Sequence, residues 1–207
     1  MNALLLVDIQ NDFLPGGALG VPDGDQILPV VNQLLTLPFD CIIASKDWHP
    51  PDHGSFAASH HENPGKNILL NGIKQILWPI HCVQGTYGAE FSSGWDASKV
   101  QQVFNKGTDK DIDSYSAFFD NCRHKSTGLM KFLQDNQVVN LYIAGLATEY
   151  CVKYTVLDAL QLGFKVFVVT EACRGVNLQP SDSKQALIEM QQGGAHLISV
   201  NEAAKLL

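Results

Sequence analysis

Six short apolar runs punctuate the chain: Ala3–Val7, Cys41–Ser45, Val100–Asn105, Leu141–Ala144, Lys165–Thr170 and His196–Val200. Most lack polar alternation, which marks parallel strands covered on both faces. Segments with helical spacing separate several of them, over Ile27–Leu37, Lys125–Asn136, Val152–Leu162 and Ser181–Gln192. Gly163 supplies a stop for the third. Strand–helix alternation of this kind predicts a doubly wound α/β domain with helices on both faces of a six-stranded parallel sheet. The segment from Asp47 to about Trp95 breaks the rhythm. It is rich in Gly, Pro, His and aromatic residues, and offers one helical stretch, Ile68–Leu77. A long insertion in a compact domain is usually functional. No repeat or linker divides the 207 residues, so residues 1–207 read as a single domain with this insertion at about 47–95.

Composition narrows the class. Hydrophobic residues make up 45% of the chain and charged residues 17%, enough for a buried core and too apolar for disorder. A formal net charge of −7 disfavours nucleic acid as a partner. Ala3–Val7 is too short for a signal peptide or a membrane span, so the expectation is a cytoplasmic protein with no membrane partner. The five cysteines are widely spaced and odd in number, which reads as free thiols.

Ligands of doubly wound sheets bind beyond the carboxyl ends of the strands. Asp8 follows the first run, Asp47 and His49 the second, Lys106 the third and Cys151 the fourth. In the common strand order 3-2-1-4-5-6, Asp8 and Cys151 face each other at the switch point. Thr148 reads as an N-cap that puts Cys151 in the first turn of the next helix. The helix end and Lys106 would both favour its thiolate. Asp8 is then the general base, and backbone N–H groups near Ala147 and Cys151 an oxyanion hole. Cys41 and Cys173 read as small buried hydrophobes. A second constellation lies in the insertion. Asp47, His49, His53 and His81 offer one carboxylate and imidazoles, a set suited to Zn²⁺, Fe²⁺ or Mn²⁺, although such histidines also serve as loop caps.

Several motifs in order resemble the nicotinamidase branch of the isochorismatase-like hydrolases. They are VDIQNDF at Val7–Phe13, SKDWHPPDHGSF at Ser45–Phe56, WPIHCVQGTYGAEF at Trp78–Phe91, KGTD at Lys106–Asp109 and GLATEYCVKYT at Gly145–Thr155. The resemblance implies a six-stranded Rossmann-like sheet and a catalytic triad of Asp8, Lys106 and Cys151. It implies one divalent metal ion held by Asp47, His49 and His81, with His53 open as a further ligand or an outer group. It also implies a cis peptide at Leu146–Ala147, and a pyridine pocket walled by Phe13, Trp78 and Tyr115.

The implied reaction is hydrolysis of nicotinamide to nicotinate and ammonia through a Cys151 thioester, in NAD salvage, with pyrazinamide as a further substrate. Three rivals stand beside it. One is a cysteine amidohydrolase for another small amide or carbamoyl compound. Another is an ether hydrolase of isochorismatase type, which would not need Cys151. The third is a non-catalytic metal-binding protein. Monomer and homo-oligomer both fit the sequence.

Overall fold

The computed structural model of the chain describes residues 1–207. Eight strands form two sheets. They are β1 (Asn2–Val7), β2 (Cys41–Asp47), β3 (Asn67–Leu70), β4 (Ile73–Ile76), β5 (Gln102–Lys106), β6 (Asn140–Leu146), β7 (Lys165–Arg174) and β8 (His196–Ile198). Five helices accompany them: α1 (Ile27–Leu34), α2 (Leu129–Asp135), α3 (Lys153–Gln161), α4 (Asp182–Gln192) and α5 (Val200–Leu206). The main sheet is six-stranded in the order β5-β2-β1-β6-β7-β8, parallel at every pairing. Counting its six strands along the chain gives the expected 3-2-1-4-5-6.

Both faces of this sheet are covered, which is why its central strands β1 and β6 are nearly continuous apolar runs. Ala3, Leu5 and Val7 of β1 pack with Leu129 and Leu133 of α2, Val156 and Ala159 of α3, and Ala186 and Met190 of α4. Leu4 and Leu6 point the other way, to Ile27, Val31 and Leu34 of α1 and Ala203 of α5. Each of the larger side chains among them, Leu, Ile, Val or Met, contributes about 1.5–3 kcal/mol on burial. The first crossover uses one face and the next ones the other, so β1 and β6 part at their carboxyl ends.

Three sequence expectations are corrected. Ile68–Leu77 is not a helix: it is the antiparallel hairpin of β3 and β4. Asn71 and Gly72 form its two-residue turn, both with positive φ (47° and 83°), the conformation a type I′ turn demands. The last apolar run ends at Ile198, and Val200 opens α5. Ser199 and Glu202 close a capping box there, each side chain serving the other's backbone N–H. Thr148 is not a cap. Ala147 holds that position, and a single wide turn, Thr148–Val152, carries Cys151 into α3.

The insertion is stitched to the sheet's carboxyl rim. The His49 N–H donates to the Cys82 carbonyl at 3.0 Å, and the Gln84 N–H donates back to His49 at 2.9 Å. Trp78 is pinned likewise, its N–H donating to Ser55 and its carbonyl accepting from Ala57, both at 2.8 Å. No helix is long and apolar enough to cross a membrane.

Candidate active site

Four strand ends converge at the switch point. β1 ends at Val7, and Asp8 then turns out of the strand with a left-handed φ of 52°. Lys106 closes β5 and Asp47 closes β2. After β6, the Leu146–Ala147 peptide is cis and leads into the turn that bears Cys151. All four side chains are buried. Lys106 Nζ sits at their centre. It lies 2.9 Å from Asp8 Oδ2, 2.5 Å from Asp47 Oδ1 and 3.2 Å from Cys151 Sγ. It also donates to the Ser114 carbonyl at 3.0 Å. Ser45 donates to Asp8 Oδ1 at 2.7 Å and fixes that carboxyl.

The electrostatics differ from the sequence expectation. Burial pushes the Cys151 thiol well above its ordinary range, against the pull of Lys106. Burial thus opposes the thiolate that Lys106 favours. Burial also raises the Asp8 carboxyl, although Lys106 opposes it. Burial disfavours charge on Asp47 and Lys106 too, yet here their mutual attraction wins. Asp47 is held well below the carboxylate range and Lys106 well above the amine range. The settled ion pair is Lys106–Asp47. Asp8 is the carboxyl with affinity to spare for a proton, as a general base requires.

On the other side of Asp47, Oδ2 lies 3.6 Å from His49 Nε2 and 3.8 Å from His81 Nε2. These three ligand atoms converge within 4.8 Å of one another. His49 Nδ1 faces the Gly107 carbonyl at 2.9 Å, and His81 Nδ1 faces the Pro79 carbonyl at 2.8 Å. A carbonyl only accepts, so each Nδ1 carries the proton and each Nε2 presents a lone pair. One buried carboxylate and two pre-oriented imidazoles fit a divalent cation. Gly107 takes φ +63°, and a Cβ there would stand 2.3 Å from the His49 ring. His53 is brought close, its ring centroid 4.2 Å from that of His49. Burial and His49 pull it down to about 4.

A pocket of about 350 Å³, open mouth included, joins the two constellations. That is at the small end of the roughly 300–1,000 Å³ usual for ligand sites. Phe13, Trp78 and Tyr115 line it as expected, with Cys151, Ala147, Asp47, His49 and His81. Trp78 Nε1 donates to Tyr115 Oη at 3.1 Å, and Gln75 Nε2 donates to the same oxygen at 3.1 Å. Sequence reasoning missed Tyr150, Asp113, Leu19 and Val176 on the wall. It also missed Gln10. Its amide spans Asp47, donating to the carbonyl and accepting from the N–H, both at 2.8 Å.

The chain resembles known proteins along most of its length. Residues 2–202 match the isochorismatase domain model. The chain is 50% identical over 201 residues to the nicotinamidase of Escherichia coli K12, covering 96% of this chain and 94% of that one. It superposes with a TM-score of 0.93 on the solved nicotinamidase/pyrazinamidase of Acinetobacter baumannii, at 41% identity, with 98% and 97% of the two chains covered. It superposes with a TM-score of 0.78 on the pyrazinamidase of Pyrococcus horikoshii solved with zinc, at 39% identity, with 96% and 98% covered. The chain belongs to the isochorismatase family.

Proposed function

We propose that this protein is a nicotinamidase that hydrolyses nicotinamide to nicotinate and ammonia, as the relatives' names indicate. The observation that carries the reading is Lys106 Nζ, shared between Asp8, Cys151 and Asp47, the last two of which line a small aromatic pocket. The ring lies between Phe13 and Trp78, with the carboxamide carbon over Cys151. Asp8 Oδ2 faces Lys106 Nζ at 2.9 Å, and the Asp8 carboxyl lies within 4.8 Å of Cys151 Sγ, placed to take the thiol proton. As that proton leaves, sulfur bonds to the carboxamide carbon. The oxyanion meets the backbone N–H groups of Ala147 and Cys151. Asp8 returns the proton to the departing amine, ammonia leaves and a thioester remains. Water then gives a proton to Asp8 as its oxygen attacks the thioester. Nicotinate is released and Cys151 regains its proton. Lys106 balances charge throughout.

Asp47, His49 and His81 hold a divalent cation in this reading, supported by the zinc of the Pyrococcus relative and by the donor set. When bound, it acts as a Lewis acid toward the pyridine nitrogen or a water beside it, and so orients the ring. Zn²⁺, Fe²⁺ and Mn²⁺ all suit these ligands. Pyrazinamide differs from nicotinamide by one ring atom, and we extend the reading to it on the names of two relatives. The product serves NAD salvage. A cytoplasmic location for this single domain is part of the same reading, supported by five free thiols.

The test is ammonia release from nicotinamide by the wild type and by Cys151→Ala. Turnover is expected in the first and lost in the second. Equal turnover in both would remove Cys151 as the nucleophile.

A further inference from the structure

His53 is fully buried beside the proposed metal ligands, and the mechanism gives it no task. One of its ring nitrogens falls within 4.8 Å of a His49 nitrogen and an Asp113 carboxylate oxygen. Its Nε2 has no hydrogen-bond partner. An imidazole in that position invites the reading of a third imidazole ligand.

Its Nδ1 argues otherwise. The Ser55 backbone N–H donates to Nδ1 at 3.1 Å, and Ser55 Oγ lies 2.7 Å from the same atom. A backbone N–H can only donate, so Nδ1 is the unprotonated nitrogen. The ring proton of the neutral imidazole is then on Nε2. This is the reverse of His49 and His81, whose Nδ1 atoms face carbonyls. His53 therefore presents a donor where a ligand would present a lone pair. A buried donor is costly unless an acceptor reaches it.

Asp113 is the matching group. It is buried and lines the pocket. Its Oδ1 accepts the Ser114 N–H at 2.8 Å, and its Oδ2 accepts Gln75 Nε2 at 3.0 Å. Each oxygen keeps acceptor capacity. We propose that His53 is not a metal ligand: its Nε2–H donates to a water ligand of the cation, and Asp113 accepts a hydrogen of that water. The pair holds the cation's open side in a fixed arrangement for an incoming ring nitrogen. This inference rests on the cation site proposed at Asp47, His49 and His81.

The experiment uses the zinc-loaded full chain labelled with ¹⁵N-histidine. Long-range ¹H–¹⁵N spectra report which nitrogen of each ring is protonated or metal-bound. Expected are Nδ1–H with zinc-shifted Nε2 for His49 and His81, and Nε2–H with bare Nδ1 for His53. Zinc affinity is then measured by chelator competition. His53→Phe should keep one zinc per chain but bind it about 10–100-fold more weakly, the usual effect of losing an outer partner. His53→Gln, which keeps an N–H, should recover much of that loss. A zinc-shifted His53 Nε2 would make it a ligand and overturn the proposal. So would wild-type affinity in His53→Phe. If that variant does not fold, Asp113→Ala takes its place in the competition with the same criterion. A wild-type chain that takes up no zinc would remove the cation site itself, a distinct failure that carries this inference down with it.

Discussion

The Asp47 carboxylate is shared: Oδ1 lies 2.5 Å from Lys106 Nζ, while Oδ2 faces His49 and His81 at 3.6 and 3.8 Å. One buried negative charge therefore serves the thiol cluster and the proposed cation site at once. An ammonium on one oxygen and a divalent cation on the other draw on the same charge, at short range and in low dielectric. The two halves of the site are coupled through this residue.

Replacing Lys106 exposes the coupling. Lys106→Met leaves Asp47 without its counter-charge, and breaking a buried pair from one side costs about 3–5 kcal/mol. Zinc can supply the missing charge, so it should raise the melting temperature of Lys106→Met by more than it raises that of the wild type. Turnover of nicotinamide should fall by about 100–1,000-fold, as when one preorganised charge is removed from an active site. Equal zinc stabilisation of the two proteins would show that Asp47 is not shared.

Metal removal separates the same two halves from the other direction. Gln10 and the Gly107 carbonyl orient Asp47 and His49 without help from an ion. The chelated protein should keep its far-ultraviolet circular dichroism. Turnover should fall by about 100-fold, the scale of loss for a misplaced substrate. Re-addition of zinc should restore it. Undiminished turnover after chelation would mean that the cation does not orient the ring.

The sheet was legible because burial on both faces leaves a continuous apolar run, as in Leu4–Val7 and Leu141–Ala144. The hairpin was not. Ile68, Leu69 and Ile76 also satisfy helical spacing, whereas the Asn71–Gly72 pair decides the matter by positive φ. Helix α5 announces itself only through Ser199 and Glu202, three residues apart. The site residues could be named from motifs because each ends a strand or opens a loop on one rim. The charge state of Cys151 could not, because burial is a property of the folded chain. Gln10 and Asp113 were missed for a related reason: a polar residue looks solvated until packing closes over it.

Tyr115 tests the pocket wall. Its Oη accepts from both Trp78 Nε1 and Gln75 Nε2. Gln75 has other acceptors, the Ile76 carbonyl and Asp113, whereas the Trp78 indole depends on Tyr115. Tyr115→Phe keeps the ring and strands that indole N–H, at a cost of about 1–3 kcal/mol. The expected kinetic result is a split: KM for nicotinamide rises by about 10-fold, the equivalent of roughly 1.4 kcal/mol, and kcat changes little. A fall in kcat with unchanged KM would place Tyr115 in the chemistry and not in the wall.

Gln10 tests how the proposed metal ligand is held. Its amide closes both backbone groups of Asp47 and also donates to the Ala89 carbonyl at 2.8 Å, tying β1, β2 and the insertion together. Gln10→Leu fills the space but leaves the Asp47 N–H and two carbonyls unpaired, at about 1–3 kcal/mol for each buried group. Urea unfolding of the metal-free variant should show that loss. Zinc affinity should fall by about 10–100-fold, because Asp47 is no longer aimed. Gln10→Glu can still accept from the Asp47 N–H but cannot donate to either carbonyl. Its stability should therefore lie between wild type and Gln10→Leu. Wild-type zinc affinity in Gln10→Leu would mean that the strand end alone aims Asp47 and that Gln10 serves only to bind the insertion to the sheet.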